Sequence, residues 1–145
     1  MMQTATNLQQ QAETFRHGAV QETLVVMLTS GNEDGGKRAT LAYTAATCAA
    51  AMDKRTVMFL VGDGAHWAYE GRTSGVKAHG FPALDELMES LVELGGEIYV
   101  CSACDQVCSV PSDDEAVGIQ RHPAIRPLGM SAVLADMTEG RCVTF

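Results

Sequence analysis

Three short apolar runs constrain this chain more than any other feature. Leu24-Val25-Val26-Met27-Leu28, residues 56–61 and residues 97–100 are hydrophobic without the strict alternation of a half-exposed strand. A strand that is apolar on both sides has to be covered on both faces, which is the signature of a parallel sheet. Helical patterns fill the intervals. Residues 37–52 are alanine-rich, with Leu41, Ala45, Cys48, Ala49 and Met52 on one stripe. Residues 82–94 repeat Leu84, Leu87, Met88, Leu91 and Val92 at helical spacing, with Asp85, Glu86, Glu89 and Glu93 outward. Pro82 suits a first helical turn, and Gly95-Gly96 ends the helix. Residues 128–137 read as a last helix with Met130, Val133, Leu134 and Met137 buried, and residues 141–145 as a terminal strand. Residues 116–119 are a candidate edge strand, and residues 65–80 hold one short helix beside the single tryptophan. Strands alternating with helices predict an α/β fold with helices on both faces of the sheet.

The length of 145 residues suits one domain with its own core. Residues 1–21 are polar and glutamine-rich and read as a loosely ordered extension, leaving 22–145 as the domain. The net charge is −8, and no basic run exceeds Lys37-Arg38 or Lys54-Arg55. A nucleic-acid binder needs a cationic footprint, so neither nucleic acid nor an anionic membrane is an expected partner. The apolar runs are too short to cross a bilayer, and the opening residues lack the pattern of a secretory signal. The expected location is therefore cytoplasmic, where thiols stay reduced.

Cys101-Ser102-Ala103-Cys104 follows directly on the third apolar run, with Cys108 one helical turn further on. The carboxyl edge of an open α/β sheet is where ligands bind. These thiols can transfer sulfur, exchange electrons, hold a metal or pack. The spacing of Cys101, Cys104 and Cys108 offers three ligands to zinc or an iron–sulfur cluster, with a fourth from afar, His122 being one source. A dithiol switch needs only the two-residue gap. A helix starting near Ser102 would favour an ionised thiol at Cys101. Asp105 opposes this, and no Lys or Arg lies between Glu97 and Gly118 to offset it. Cys48, on an apolar stripe, and Cys142, in the last strand, read as small core side chains.

Gly31, Gly36 and Lys37 imitate a phosphate-binding loop between a strand and a helix. Arg38 stands where a hydroxyl should hold magnesium, and Glu33 and Asp34 place negative charge in the cradle. The favoured reading is an ordinary connecting loop with a helix-capping acid. Asp63 and His66 lie just past the second strand, where a histidine can serve as acid, base or ligand, or simply as a polar neighbour of Trp67. His79 and His122 are expected at the surface.

Taken in order, several landmarks are similar to the DsrE/DsrF-like sulfur-relay family. They are Leu28-Thr29-Ser30-Gly31 with Glu33-Asp34, the alanine-rich helix, Phe59-Leu60-Val61-Gly62-Asp63-Gly64, the segment from Leu94 to Cys104, and the ending Arg141-Cys142-Val143-Thr144-Phe145. The resemblance implies a three-layer α/β/α sandwich with a mainly parallel sheet of about five strands. It also implies a homo-oligomer, often a trimer or hexamer. Its function would be to accept sulfane sulfur as a cysteine persulfide and pass it between donor and acceptor proteins, with no organic cofactor. By position, Cys101 is the first candidate for the persulfide and Cys104 the second acceptor or resolving thiol, with Ser30, Gly31, Asp63, Gly64 and His66 walling the site. Many relatives carry a basic residue and a glycine after the second cysteine position. Here Asp105, Gln106, Val107 and Cys108 follow, so a metal site or redox module on the three clustered thiols stands as the alternative, and a non-catalytic scaffold subunit as a third.

Overall fold

A computed structural model describes residues 22–108 and 120–145 of the chain. The expected extension over 1–21 and the candidate edge strand over 116–119 lie outside the described residues. The elements are β1 (Thr23–Leu28), α1 (Lys37–Ala51), β2 (Arg55–Leu60), a 3₁₀ helix (Gly62–Ala68), α2 (Leu84–Glu93), β3 (Glu97–Cys101), α3 (Ser102–Cys108), β4 (Ile125–Leu128), α4 (Met130–Glu139) and β5 (Arg141–Thr144).

The five strands form one sheet in the order β4-β3-β2-β1-β5, and every pairing is parallel. β1 to β4 run in spatial succession across the sheet. The chain then crosses back to place β5 on the far side of β1. Because parallel crossovers are right-handed, the two directions of travel put helices on opposite faces. Side-chain packing agrees. Val26, Met58, Ile98 and Val100 face α1 and α2 with Tyr43, Leu84, Leu87 and Leu91. Val25, Val57 and Phe59 face α4 through Val133. Neighbouring strand residues thus alternate between two buried layers, which is why the runs read as continuously apolar.

α2 buries Leu84, Leu87, Met88 and Leu91 as its periodicity predicts, but Val92 of the same stripe is 39% exposed, because it lies at the margin of the buried face, and the helix starts two residues after Pro82. α1 does not follow its expected stripe. Its buried face is Ala39, Ala42, Tyr43, Ala46, Ala49 and Ala50, whereas Leu41 is 44% exposed, Met52 67% exposed, and Cys48 is exposed too. Apolar side chains ring most of this helix, so periodicity alone does not choose a face. The small alanines win the sheet side because they let the helix backbone approach closely. In α4 only Val133 of the expected stripe is fully buried, and Met130 and Leu134 are exposed.

Two further expectations are corrected at the sheet edges. Cys142 is exposed, because β5 is an edge strand exposed at each of its positions. β4 had no counterpart in the sequence reading, since it is short and contains Pro127. A proline is tolerated there because an edge strand has one backbone side without ladder bonds.

Candidate functional site

The site is built where the loops after β1, β2 and β3 meet at the carboxyl edge. Two glycines permit the meeting. A Cβ on Gly64 would lie 1.9 Å from the carbonyl oxygen of Leu28, and one on Gly31 would lie 2.9 Å from that of Asp63. Only a residue without a side chain lets two backbones approach so closely. Ser30 is buried beneath the meeting point, and its carbonyl accepts the indole N–H of fully buried Trp67 at 2.9 Å.

The phosphate-like loop is filled by its own acid. Asp34 accepts the backbone N–H groups of Gly36, Lys37 and Arg38 at 3.0, 3.2 and 3.0 Å. Partial burial raises the Asp34 pKa, but these donors and the Arg38 charge outweigh it and hold the carboxyl below its ordinary value. The first turn of α1 is therefore capped by a carboxylate where a phosphate would sit.

Cys101 and Cys104 occupy different environments. Cys101 is the last residue of β3, only 8% exposed, and packs with Val25, Val57, Phe59 and Val133. Cys104, in the first turn of α3, is half-buried and touches both core layers. Its Sγ accepts the backbone N–H of Gly62 at 3.3 Å. Backbone N–H donors of this kind pair best with an anionic acceptor. Both residues are thiols rather than a disulfide. The side chain of Cys108 lies outside the described residues. Among the described residues no group of three or more His, Cys, Asp or Glu is arranged to hold a metal. His122 turns inward on its own loop, where its Nδ1 accepts the Ala124 N–H at 3.1 Å.

Asp105 is not the unopposed charge that the sequence suggests. Its side chain is 14% exposed and ion-paired with Arg121, whose Nη1 lies 3.0 Å from Oδ2. Its Oδ1 accepts the Tyr69 hydroxyl at 3.0 Å. Arg121 is delivered by a backbone pairing: Tyr69 and Arg121 form an antiparallel bridge, flanked by Glu70 N–H to the Gln120 carbonyl and His122 N–H to the Ala68 carbonyl, both at 2.8 Å. A cation absent from the local sequence is thus supplied across the fold.

Beside Cys104 opens a cleft of about 360 Å³, lined by Gly31, Asn32, Glu33, Gly62, Asp63, His66, Tyr69 and Arg72. Of the residues expected here, Gly31, Asp63 and His66 line it, while Ser30 and Gly64 support it from below. Arg72 donates from Nη1 to Nδ1 of His66 at 2.9 Å. An arginine is only a donor, so Nδ1 holds the lone pair and neutral His66 carries its proton on Nε2. The His66 pKa is lowered, first by burial and then by the adjacent Arg72 charge, with Glu33 pulling weakly the other way. The ring also meets Trp67 edge-on, at a centroid distance of 4.7 Å. Arg72 and Tyr69 were missed from sequence, because nothing in their glycine-punctuated segment marks them. Only the turn after the 3₁₀ helix returns them to the cleft.

A larger cavity, about 500 Å³, lies at the opposite, amino edge of the sheet, lined mainly by Leu24, Ala45, Cys48, Ala49 and Met52 together with Glu22, Lys54 and Arg141. Size does not make it the better site, because Lys54 and Glu22 of its lining are paired with each other and no hydrogen bond to the Cys48 thiol is found among the described residues. A reactive site needs few, well-placed polar groups around its chemical centre.

Set beside known proteins, the fold has clear counterparts. The solved structure of the YchN protein from E. coli superposes with a TM-score of 0.62 at 12% identity, covering 87% of this chain and all of that one (100%). A conserved protein of unknown function from Bacteroides thetaiotaomicron, BT1422, superposes with a TM-score of 0.51 at 13% identity, covering 84% of this chain and 94% of that one. At such identities the likeness is one of fold. No curated protein matches the sequence. The family model described as the DsrE/DsrF-like family matches residues 23–145, from the start of β1 to the last residue, and the chain belongs to that family.

Proposed function

We propose that this protein relays sulfane sulfur through a persulfide on Cys104. The observation that carries the reading is the position of Cys104 Sγ, half-buried at the carboxyl edge and held by the Gly62 N–H next to a polar cleft. Cys101 stands behind it in the β3 end, packed among apolar side chains. This ordering reverses the priority that position in the sequence suggests, because a visiting sulfur atom meets Cys104 first.

The chemistry is thiol–persulfide exchange. The Cys104 thiolate attacks the outer sulfur of a donor persulfide, R–S–SH. The donor S–S bond breaks, a new one forms on Cys104, and the donor leaves as RS⁻. An acceptor thiolate then repeats the step on the Cys104 persulfide. When Cys101 attacks the inner sulfur instead, the products are a Cys101–Cys104 disulfide and hydrosulfide, so Cys101 is the resolving thiol. Arg121 offsets the charge of Asp105, the carboxylate that follows Cys104 in the chain.

Donor and acceptor are thiol proteins in this reading, the compartment is the cytoplasm, and the exposed apolar Leu41, Met52, Leu134 and Val143 support a homo-oligomer, a trimer or hexamer. Light scattering that gives a monomer at micromolar concentration would refute the oligomer. The relay itself is tested by mass spectrometry after incubation with a persulfide donor protein. Sulfur on Cys104 in the wild type and in Cys101→Ser, and none on Cys101 in Cys104→Ser, is the expected pattern. Sulfur on neither thiol sinks the proposal.

A further inference from the structure

We infer that the cleft beside Cys104 binds a small zwitterionic sulfur donor, an amino-acid persulfide, which loads Cys104 directly. The inference rests on the relay reading and adds, beside its protein donors, a small-molecule donor for the same thiol.

Four observations point to this chemistry. The cleft, at about 360 Å³, falls at the small end of ligand pockets, which run roughly 300–1,000 Å³. That is room for a metabolite. Arg72 lines it with its guanidinium bonded to the neutral face of His66, and no carboxylate among the described residues forms an ion pair with it. By contrast, Arg55 is held by Glu97 and Asp136, and Arg121 by Asp105. A guanidinium held by a neutral partner keeps its remaining donors for a carboxylate, which it binds in bidentate fashion. Two acids share the same cleft: Glu33, fixed there by accepting the Gly31 N–H at 3.1 Å, and Asp63. Finally, Gly62 lines the cleft and donates its N–H to Cys104 Sγ at 3.3 Å, so the thiol lies one hydrogen bond beyond the lining.

A ligand with one anionic and one cationic group satisfies all of these. Its carboxylate takes Arg72, its ammonium takes Glu33 and Asp63, and its sulfur points to Gly62 and Cys104. The same two acids discriminate against a dianion such as thiosulfate, whose charges they repel. Transfer balances without an outside oxidant: the cysteine persulfide S–S bond breaks as the Cys104 S–S bond forms, and the amino acid departs as its thiolate.

The test measures the rate of sulfur gain on Cys104 by peptide mass spectrometry with three donors: cysteine persulfide, the persulfide of 3-mercaptopropionate, and thiosulfate. Cysteine persulfide is expected to be fastest, with each of the others slower by roughly tenfold or more, the scale of one charge-assisted contact. Arg72→Ala is expected to slow the cysteine persulfide reaction by a similar factor, with Arg72→Lys in between. Thermal melts of the variants check their folding, and the Lys variant keeps the comparison intact if the Ala form is unstable. Equal rates for wild type, Arg72→Ala and Arg72→Lys, with Cys104 still loaded, overturn this inference and leave the relay standing. No sulfur on Cys104 from any donor, protein persulfide included, overturns both.

Discussion

The two edges of the sheet each combine a cavity with a cysteine, and they differ in everything else. At the amino edge the larger cavity is lined by exposed Cys48 with alanine, leucine and methionine, and by charged groups of which Lys54 pairs with Glu22. At the carboxyl edge a smaller cleft gathers Arg72, His66, Glu33 and Asp63 beside a half-buried sulfur with its own N–H donor. The difference teaches that accessibility and volume are poor guides to chemistry. What distinguishes the carboxyl edge is convergence: strand ends, close-packed glycines and long-range hydrogen bonds aim several polar groups at one place.

The largest expected contrast is between the two cysteines. Cys48 should alkylate with iodoacetamide at least as fast as Cys104, because it is more exposed. Yet Cys104→Ser should abolish stoichiometric persulfide formation, and Cys48→Ser should leave it unchanged. Persulfide sulfur accumulating on Cys48 rather than on Cys104 would erase the distinction between the edges.

Packing should separate the edges next. Gly64→Ala forces a Cβ against the Leu28 carbonyl at 1.9 Å, backbone against backbone. We expect a loss of about 3 kcal/mol in denaturant unfolding, the upper range for overpacking. Ala45→Leu adds more volume, but into the amino-edge cavity it lines, and should change stability by less than about 1 kcal/mol. Comparable losses for the two substitutions would show that the carboxyl edge is no more tightly built.

A smaller effect is expected at Asp105. Arg121→Ala removes a half-exposed cation and leaves a largely buried carboxylate with the Tyr69 hydroxyl. Solvent screening limits the stability loss to about 1 kcal/mol. The restored negative charge near Cys104 should also slow persulfide formation severalfold, most visibly at low salt. An unchanged rate would mean that Asp105 does not act on the sulfur.

The smallest effect is in the pH dependence. His66 accepts from Arg72 and shares its cleft with Glu33 and Asp63, and its pKa is lowered chiefly by burial. Below the ordinary histidine value near about 6.5 the unfolded chain binds the proton that the folded site resists, so stability should fall as pH drops through that range. His66→Gln should flatten this slope between about pH 7 and 5, and Arg72→Ala should raise the His66 midpoint in an NMR titration. A wild-type midpoint above the ordinary value would contradict the sign.

How much of this was legible in the chain depends on how local the cause is. The strands, the amphipathic α2 and the position of Cys101 and Cys104 at a carboxyl edge follow from apolar runs and turn residues, which act over a few neighbours. Asp34 as a capping acid is equally local, since its partners lie within four residues of it. The buried face of α1 was not legible, because its apolar residues nearly encircle the helix and only the sheet beneath selects the alanines. β4 was hidden by Pro127, acceptable only at an edge that topology creates.

The sequence by itself determined a parallel sheet wrapped by helices and the delivery of two thiols to the end of its third strand, because burying both faces of apolar runs leaves few other arrangements. Tertiary structure alone decided which thiol takes the Gly62 N–H beside the cleft, which arginine pairs with Asp105 and which arginine bonds His66. Those choices depend on loops brought together from far along the chain, and Coulomb forces and hydrogen bonds act on distance in space, which local patterning does not encode.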